Sequence, residues 1–265
     1  DIAFLDVSLP DKNGFVSLSA SGCCMHPYII EETPTVVFQI NRFSPYVTGL
    51  DTLVPLSAAQ YLVRADVEKE TIPGGVMEAD PETAAMSQYI LDEIPDGACL
   101  QIGIGGVANA VTYGLRTKND LGCHTEMMSD ALMVLMQEGV INNSRPKFIP
   151  HRSVVGFAFG SKALYEFLDH NEKMYFGPFP VVNHPANIAQ NENMISINTA
   201  MSIDLFGQVA AEGIGPHQFS GTGGQGDYIR GAQMSKGGKS FIALTSSHKK
   251  NGVSSSRIVS SFPAG

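Results

Sequence analysis

The stretch from Ala98 to Leu115 constrains the fold most. Ala98-Cys99-Leu100-Gln101-Ile102 reads as a strand and runs directly into Gly103-Ile104-Gly105-Gly106. Val107, Ala110, Val111, Gly114 and Leu115 then recur on one face of a helix. A strand that feeds a helix through glycines is the unit from which parallel sheets are built. The first N–H groups of such a helix have no partners inside it, so the turn is also a place where an anion or a polarised oxygen can be held.

The rest of the chain repeats this alternation. Ile2 to Ser8 reads as a strand stopped by Pro10-Asp11-Lys12-Asn13-Gly14, and Val36 to Ile40 reads as a second, buried one. From Phe43 to Gly75 the pattern is interrupted by Pro45, Pro55, Pro73 and Gly74-Gly75, which marks a connection with weak strands near Tyr61 to Ala65. Asp80-Pro81-Glu82 opens a helix that carries Met86, Tyr89, Ile90 and Ile94 and ends at Pro95-Asp96-Gly97. Strands follow near Leu121 to Met127 and Val154 to Phe159, with helices from Ser129 to Gln137 and from Gly160-Ser161 through Leu168. A last helix from Asp227 to Met234 turns at Lys236-Gly237-Gly238-Lys239 into a strand at Ser240 to Thr245. Strands alternating with helices predict an α/β fold with a largely parallel sheet.

Two further features bear on chemistry. Ile195, Ile197, Thr199, Met201 and Ile203 alternate with Ser196, Asn198, Ala200, Ser202 and Asp204, which predicts one half-buried strand over the whole run. Leu205-Phe206-Gly207-Gln208 then turns the chain into a return strand from Val209. Further on, Gly221, Gly223, Gly224 and Gly226 surround Gln225 ahead of Tyr228 and Arg230. A loop so poor in side chains lets backbone N–H groups converge on a ligand, and it equally suits a plain turn beside a hairpin.

A net charge of −9 argues against nucleic acid or an anionic membrane as partner. Cys23, Cys24, Cys99 and Cys123 lack metal or redox spacing, which suits reduced thiols in a cytoplasmic protein; the histidines lack metal spacing too, and no metal is expected. Gly103-x-Gly105-x-x-Ala108 meets the loose dinucleotide fingerprint, with Asp120 and Glu126 near where a ribose-binding acid would stand. That leaves a nicotinamide-dependent oxidoreductase as one reading. His124-Thr125-Glu126 offers an imidazole and a carboxylate on one face of a strand, either an acid–base pair or a hydrogen-bonded pair at a seam. No nucleophile elbow surrounds Ser202.

Several longer segments carry a resemblance: Leu100 to Val111, Leu121-Gly122-Cys123-His124-Thr125-Glu126-Met127, Ser196-Ile197-Asn198, Asp204 to Val209, Phe219 to Tyr228 and Ser235 to Lys239. Together they resemble the coenzyme A transferases grouped with 4-hydroxybutyrate CoA-transferase and acetyl-CoA hydrolase, in the family's order from about Phe4 to Phe262. The resemblance implies two related open α/β domains with the active site between them. Residues 1–78 would hold the end of the first domain plus a linker, and 79–265 the second domain. It also implies a piece of a longer protein, as does Asp1 opening the chain inside an apolar run, and a homo-oligomer is the expected assembly.

What the resemblance implies for chemistry is transfer of CoA between an acyl-CoA and a small acid of the 4-hydroxybutyrate, butyrate, succinate or itaconate type. A glutamate would attack the thioester, with CoA as substrate and no permanent cofactor. Gly103, Ile104, Gly105, Gly106, Gly221, Gly223, Gly224 and Gln225 resemble the CoA-facing and oxyanion-binding loops, and Asn198 a family Asn close to CoA. At the position the resemblance assigns to the nucleophilic glutamate this chain has Ser202, whose ester would trap the acyl group far below thioester energy. Glu212 and Glu126 are then the fallback acids. A divergent CoA-binding relative without turnover is the alternative that Ser202 raises.

Overall fold

A computed structural model describes residues 1–69, 71, 80–103, 105–215 and 217–262. The first sheet is small and parallel. β1 (Ile2–Val7) pairs with β2 (Thr35–Ile40), and β2 pairs with β3 (Tyr61–Arg64). The segment read as a connection with a weak strand thus supplies an edge strand, exposed along its whole length. The boundary placed at 78/79 lies outside the described residues.

The second sheet has six parallel strands. In chain order they are β4 (Cys99–Ile102), β5 (Gly122–Met128), β6 (Ser153–Ala158), β7 (Met174–Phe176), β8 (Met194–Thr199) and, after an excursion, a last strand at Lys239–Ala243. In space that last strand flanks β8, β8 flanks β4, and β5, β6 and β7 follow on the other side. The chain therefore builds outwards from β4 in one direction and then returns to build in the other. The crevice between the carboxyl ends of β4 and β8 is the switch point of an open parallel sheet, the place where such sheets bind ligands.

Local sequence explains the elements around that crevice. Asp80 caps α1 (Pro81–Asp92) by accepting the N–H groups of Glu82 and Thr83, with Pro81 at the first helical position. The glycine turn after β4 opens α2 (Gly106–Gly114), where Gly105 adopts φ +130°, a value that disfavours any side chain. Asp130 to Gln137 forms α3, and Ser161 caps α4 (Lys162–Leu168) by accepting the Leu164 N–H. Two single-turn helices, α5 (Phe179–Val182) and α6 (Pro185–Ile188), line the approach to β8, and α7 (Gln225–Met234) follows the glycine-rich loop.

The long alternating run divides. β8 stops at Thr199, and Ser202–Asp204 forms a separate strand, β9, pairing with β10 (Val209–Ala210) and with Ile258–Val259. β8 is buried on both faces, because it is an inner strand between β4 and the last strand with α2 and α7 packed on it. The turn at Gly207 (φ +82°) is as expected.

One continuous apolar core joins both sheets: Leu5, Val7 and Phe38 from the first with Leu100, Val155 and Phe176 from the second. The loop after β2 also docks on β7, where Leu50 N–H donates to Phe176 O (2.9 Å) and Phe176 N–H to Thr48 O (3.0 Å). Among the described residues no helix is long and apolar enough to cross a membrane, and all four cysteines are free and buried.

Candidate active site

The crevice is floored by a buried polar cluster. Ser196 and Asn198 on β8 share the Gln101 side chain on β4: Ser196 Oγ donates to Gln101 Oε1 (2.7 Å), as does Asn198 Nδ2 (3.0 Å). Gln101 Nε2 returns a bond to Asn198 Oδ1 (3.1 Å). Such a satisfied network locks the ends of β4 and β8 together. Gly103 N–H donates to Ile197 O (2.8 Å), and a Cβ on Gly103 would stand 3.0 Å from Asn198 Oδ1. Asn198 thus comes to the crevice as expected, with its side chain spent on holding the floor.

Above this floor lies a cavity of about 240 Å³, lined by Gly103, Asn198, Glu126, Glu212 and the loop Gly221, Gly223, Gly224 and Gln225. Most of the sequence-predicted residues are gathered here. Gly105 and Gly106 line a neighbouring cavity of about 330 Å³ with Thr83, Thr199 and Arg257. Ile104 lies outside the described residues. A third cavity, about 480 Å³, is lined by Met25, Phe179, Pro180, Asn183, Pro185 and Asp227, and shares Glu126, Gly223 and Gly224 with the first.

Glu126, near the carboxyl end of β5, is the half-buried acid where two of these cavities meet. Asn183, the residue after α5, donates from Nδ2 to Glu126 Oε2 (2.7 Å), and the Gly224 N–H donates to the same carboxylate. Burial pushes the carboxyl above the ordinary glutamate value, and the nearby Asp227 adds to the rise. The bonds from Asn183 and Gly224 oppose it. Gly224 has φ −77°, so backbone strain is not what requires glycine there. Space is: a Cβ would overlap Glu126 Oε2 and stand 2.7 Å from Asn183 Nδ2. The expected oxyanion donor is thus engaged with an acid of this chain.

Glu212 anchors the glycine loop. Its carbonyl accepts the N–H groups of Phe219 (2.7 Å) and Ser220 (3.1 Å), and its carboxylate accepts from Thr222 Oγ1 (3.4 Å). Ser202 stands at the position that the resemblance assigns to the nucleophile. It belongs to the small β9–β10 ribbon, paired with Ala210, and is not among the residues lining these cavities. The physical reason is the break after Thr199, which carries the chain out of the main sheet before Ser202 is reached.

His124 and Glu126 do share a strand face but do not act on one another. Asn191 Oδ1 accepts the Lys147 and Phe148 N–H groups (3.1 Å each), so its Nδ2 donates to His124 Nδ1 (3.0 Å). His124 Nε2–H then donates to Val182 O (2.7 Å). The ring is fully buried between Phe148 and Tyr228, and burial lowers its pKa to about 4. It is a neutral core histidine. Of the two acids near the dinucleotide fingerprint, Glu126 stands near the carboxyl end of β5 and is engaged by Asn183 and Gly224, while Asp120 precedes β5, at the amino end of the sheet, where it accepts from Asn142 Nδ2 (2.9 Å) and Arg145 (3.1 Å). A ribose-binding acid must stand at the carboxyl end.

Met25, Phe179 and Asn183 were not singled out by their sequence. They sit in short turns and single-turn helices without periodicity, and only the fold brings them to Glu126.

The chain is similar along its length to proteins of one family. Residues 1–73 match the acetyl-CoA hydrolase/transferase N-terminal domain, and residues 160–265 match the C-terminal domain of the same family. A succinyl-CoA:cyclohexane-1-carboxylate CoA transferase of Geobacter metallireducens is 39% identical over 267 residues, covering 100% of this chain and 59% of the relative. A 4-hydroxybutyrate coenzyme A transferase of Clostridium kluyveri is 40% identical over 257 residues, covering 96% and 58%. Among solved structures, RipA from Yersinia pestis superposes with a TM-score of 0.92 at 37% identity, covering 100% of this chain and 59% of that one. A 4-hydroxybutyrate CoA-transferase from Porphyromonas gingivalis gives 0.84 at 34% identity, covering 98% and 61%. The chain thus spans a little under three fifths of the curated relatives it matches. With both domain signatures in order and one fold shared along its length, the chain belongs to the acetyl-CoA hydrolase/transferase family.

Proposed function

We propose that the protein transfers coenzyme A between an acyl-CoA and a small carboxylic acid, with Glu126 as the carboxylate that carries the acyl group and then CoA. The observation that supports this reading is the placement of Glu126. It is the half-buried acid that meets both the glycine-loop cavity and its larger neighbour, and it is held by two hydrogen-bond donors.

A carboxylate is a weak nucleophile, and partial desolvation raises both its pKa and its reactivity. Glu126 attacks the thioester carbonyl; the C–S bond breaks, CoA leaves as thiolate, and a mixed anhydride forms on the side chain. The thiolate then attacks the Glu126 carboxyl carbon and expels the original acid as carboxylate, leaving a glutamyl-CoA thioester. An incoming carboxylate reverses both steps. No bond is spent on water, so thioester energy is conserved throughout.

In the second step negative charge develops on the Glu126 oxygen. The Asn183 Nδ2 and the Gly224 N–H already point at that carboxylate, so they are the donors in place for the tetrahedral intermediate. Asn183 Oδ1 is buried without a hydrogen-bond partner, an acceptor that a ligand N–H or O–H would satisfy. Ser202 plays no part in this scheme, so its replacement of an acid is no argument for a silent protein.

The test is isotope exchange with the complete protein. Label should pass between an acyl-CoA and its free acid without a second acceptor, as a ping-pong mechanism requires. Absence of exchange with acetyl-CoA, butyryl-CoA and succinyl-CoA would overturn the proposal.

A further inference from the structure

We propose that the larger cavity beside Glu126 is the acyl pocket and that it selects an uncharged acyl group, turning away dicarboxylic acids such as succinate. The inference rests on the transfer reading above and settles a choice among acids that the sequence leaves open.

The two cavities that meet at Glu126 differ in chemistry. The smaller is walled by glycine backbone and by Gln101, Asn198 and Ser220, which suits the amides of the pantetheine arm. The larger is walled mainly by the carbon surfaces of Met25, Phe179, Pro180 and Pro185, with Asn183, His184 and Thr222 as further polar side chains. Phe179 is held in place edge-on against Phe157 (6.1 Å between centroids) and by its N–H, which donates to Cys24 O (3.0 Å).

The charged groups that line this cavity are acids, Glu126 and Asp227. Among the described residues no lysine or arginine lines it. Arg230, one turn along α7 and 3.8 Å from Asp227, does not line the cavity. His184 also lines the wall, with its Nδ1 turned to the Ala186 N–H (3.3 Å) at the start of α6. The far carboxylate of a succinyl group would therefore be desolvated beside two acids with no lysine or arginine to pair with. A butyryl or hydroxybutyryl group brings no such charge.

The experiment measures kcat/KM of the complete enzyme for butyrate and succinate as acceptors, using acetyl-CoA as donor. Butyrate should exceed succinate by at least tenfold. Met25→Arg, at a 44% exposed position, should raise the succinate-to-butyrate ratio about tenfold by supplying the missing cation, and Asp227→Asn should raise it severalfold. Equal use of both acids, or a ratio that neither substitution moves, would overturn the pocket assignment. If exchange persists in that case and is abolished by Glu126→Gln, the transfer reading survives alone. If no acid exchanges at all, both fall together.

Discussion

Glu126 and Ser202 are both polar residues on strands, one inside a segment that resembles the family and the other where the chain departs from its pattern, yet the fold treats them in opposite ways. Glu126 is on an inner strand, flanked by β4 and β6, with buried residues on either side of it in sequence. Ser202 is on a three-residue strand next to a turn whose Leu205 and Phe206 are 75% and 80% exposed. The first position is half-buried and lines the crevice; the second lies on a ribbon and does not line it. In the proposed scheme, reactivity follows the strand end a residue occupies more than its own type.

Substitutions can break or sharpen that contrast. Glu126→Gln should reduce CoA transfer by on the order of 10⁴-fold or more, as expected when the group that carries the intermediate is removed. The folded protein should not suffer. Because the folded-state pKa of Glu126 lies above its unfolded value, the ionised form is the one that folding disfavours. The relative stability of Glu126→Gln should therefore grow as pH rises through that pKa, measured by thermal melts at pH 4 to 8. The acidic limb of the wild-type rate profile should fall at a pH above that of an ordinary glutamate, since attack needs the carboxylate. Gly224→Val should cost about 10²–10³-fold in turnover with the fold retained, because its side chain displaces Glu126 and Asn183 together. Unchanged turnover in a folded variant would reduce the loop to a turn.

His124 tests the same contrast through stability. Its pKa is about 4 in the fold and near 6.5 when unfolded, so the unfolded chain binds the extra proton and stability falls as pH drops between those values. The loss should reach about 2 kcal/mol from pH 7 to pH 5, read by denaturant titration, and the His124→Gln variant should lack that slope. The smallest effect is assigned to Ser202→Ala, which should leave kcat/KM within about threefold of wild type, the range typical of a site outside the chemistry.

The strand, glycine turn and helix from Cys99 to Gly114 were legible in the sequence because a buried strand, a residue-poor turn and a 3.6-residue apolar repeat are all local. So were the caps at Asp80 and Ser161, which satisfy backbone donors within three residues. The run from Ile195 to Asp204 misled because period-two alternation continues across Ala200-Met201 while the backbone leaves one sheet for another, and no side-chain pattern records a change of partner. The glycine loop was visible as a loop, but that Gly224 needs to be small because Glu126 lies against it depends on residues about a hundred positions apart. Asn183 and the apolar wall at Met25 and Phe179 gave no signal, since they meet only through tertiary packing.

The central claim is that Glu126 carries the intermediate, and it can be read directly. The complete protein would be incubated with acyl-CoA, reduced with borohydride or treated with hydroxylamine, digested, and mapped by mass spectrometry. The account requires the modification on Glu126, in the peptide that contains His124-Thr125-Glu126, and its loss in Glu126→Gln. Modification at Glu212 or Ser202 with Glu126 untouched would contradict it.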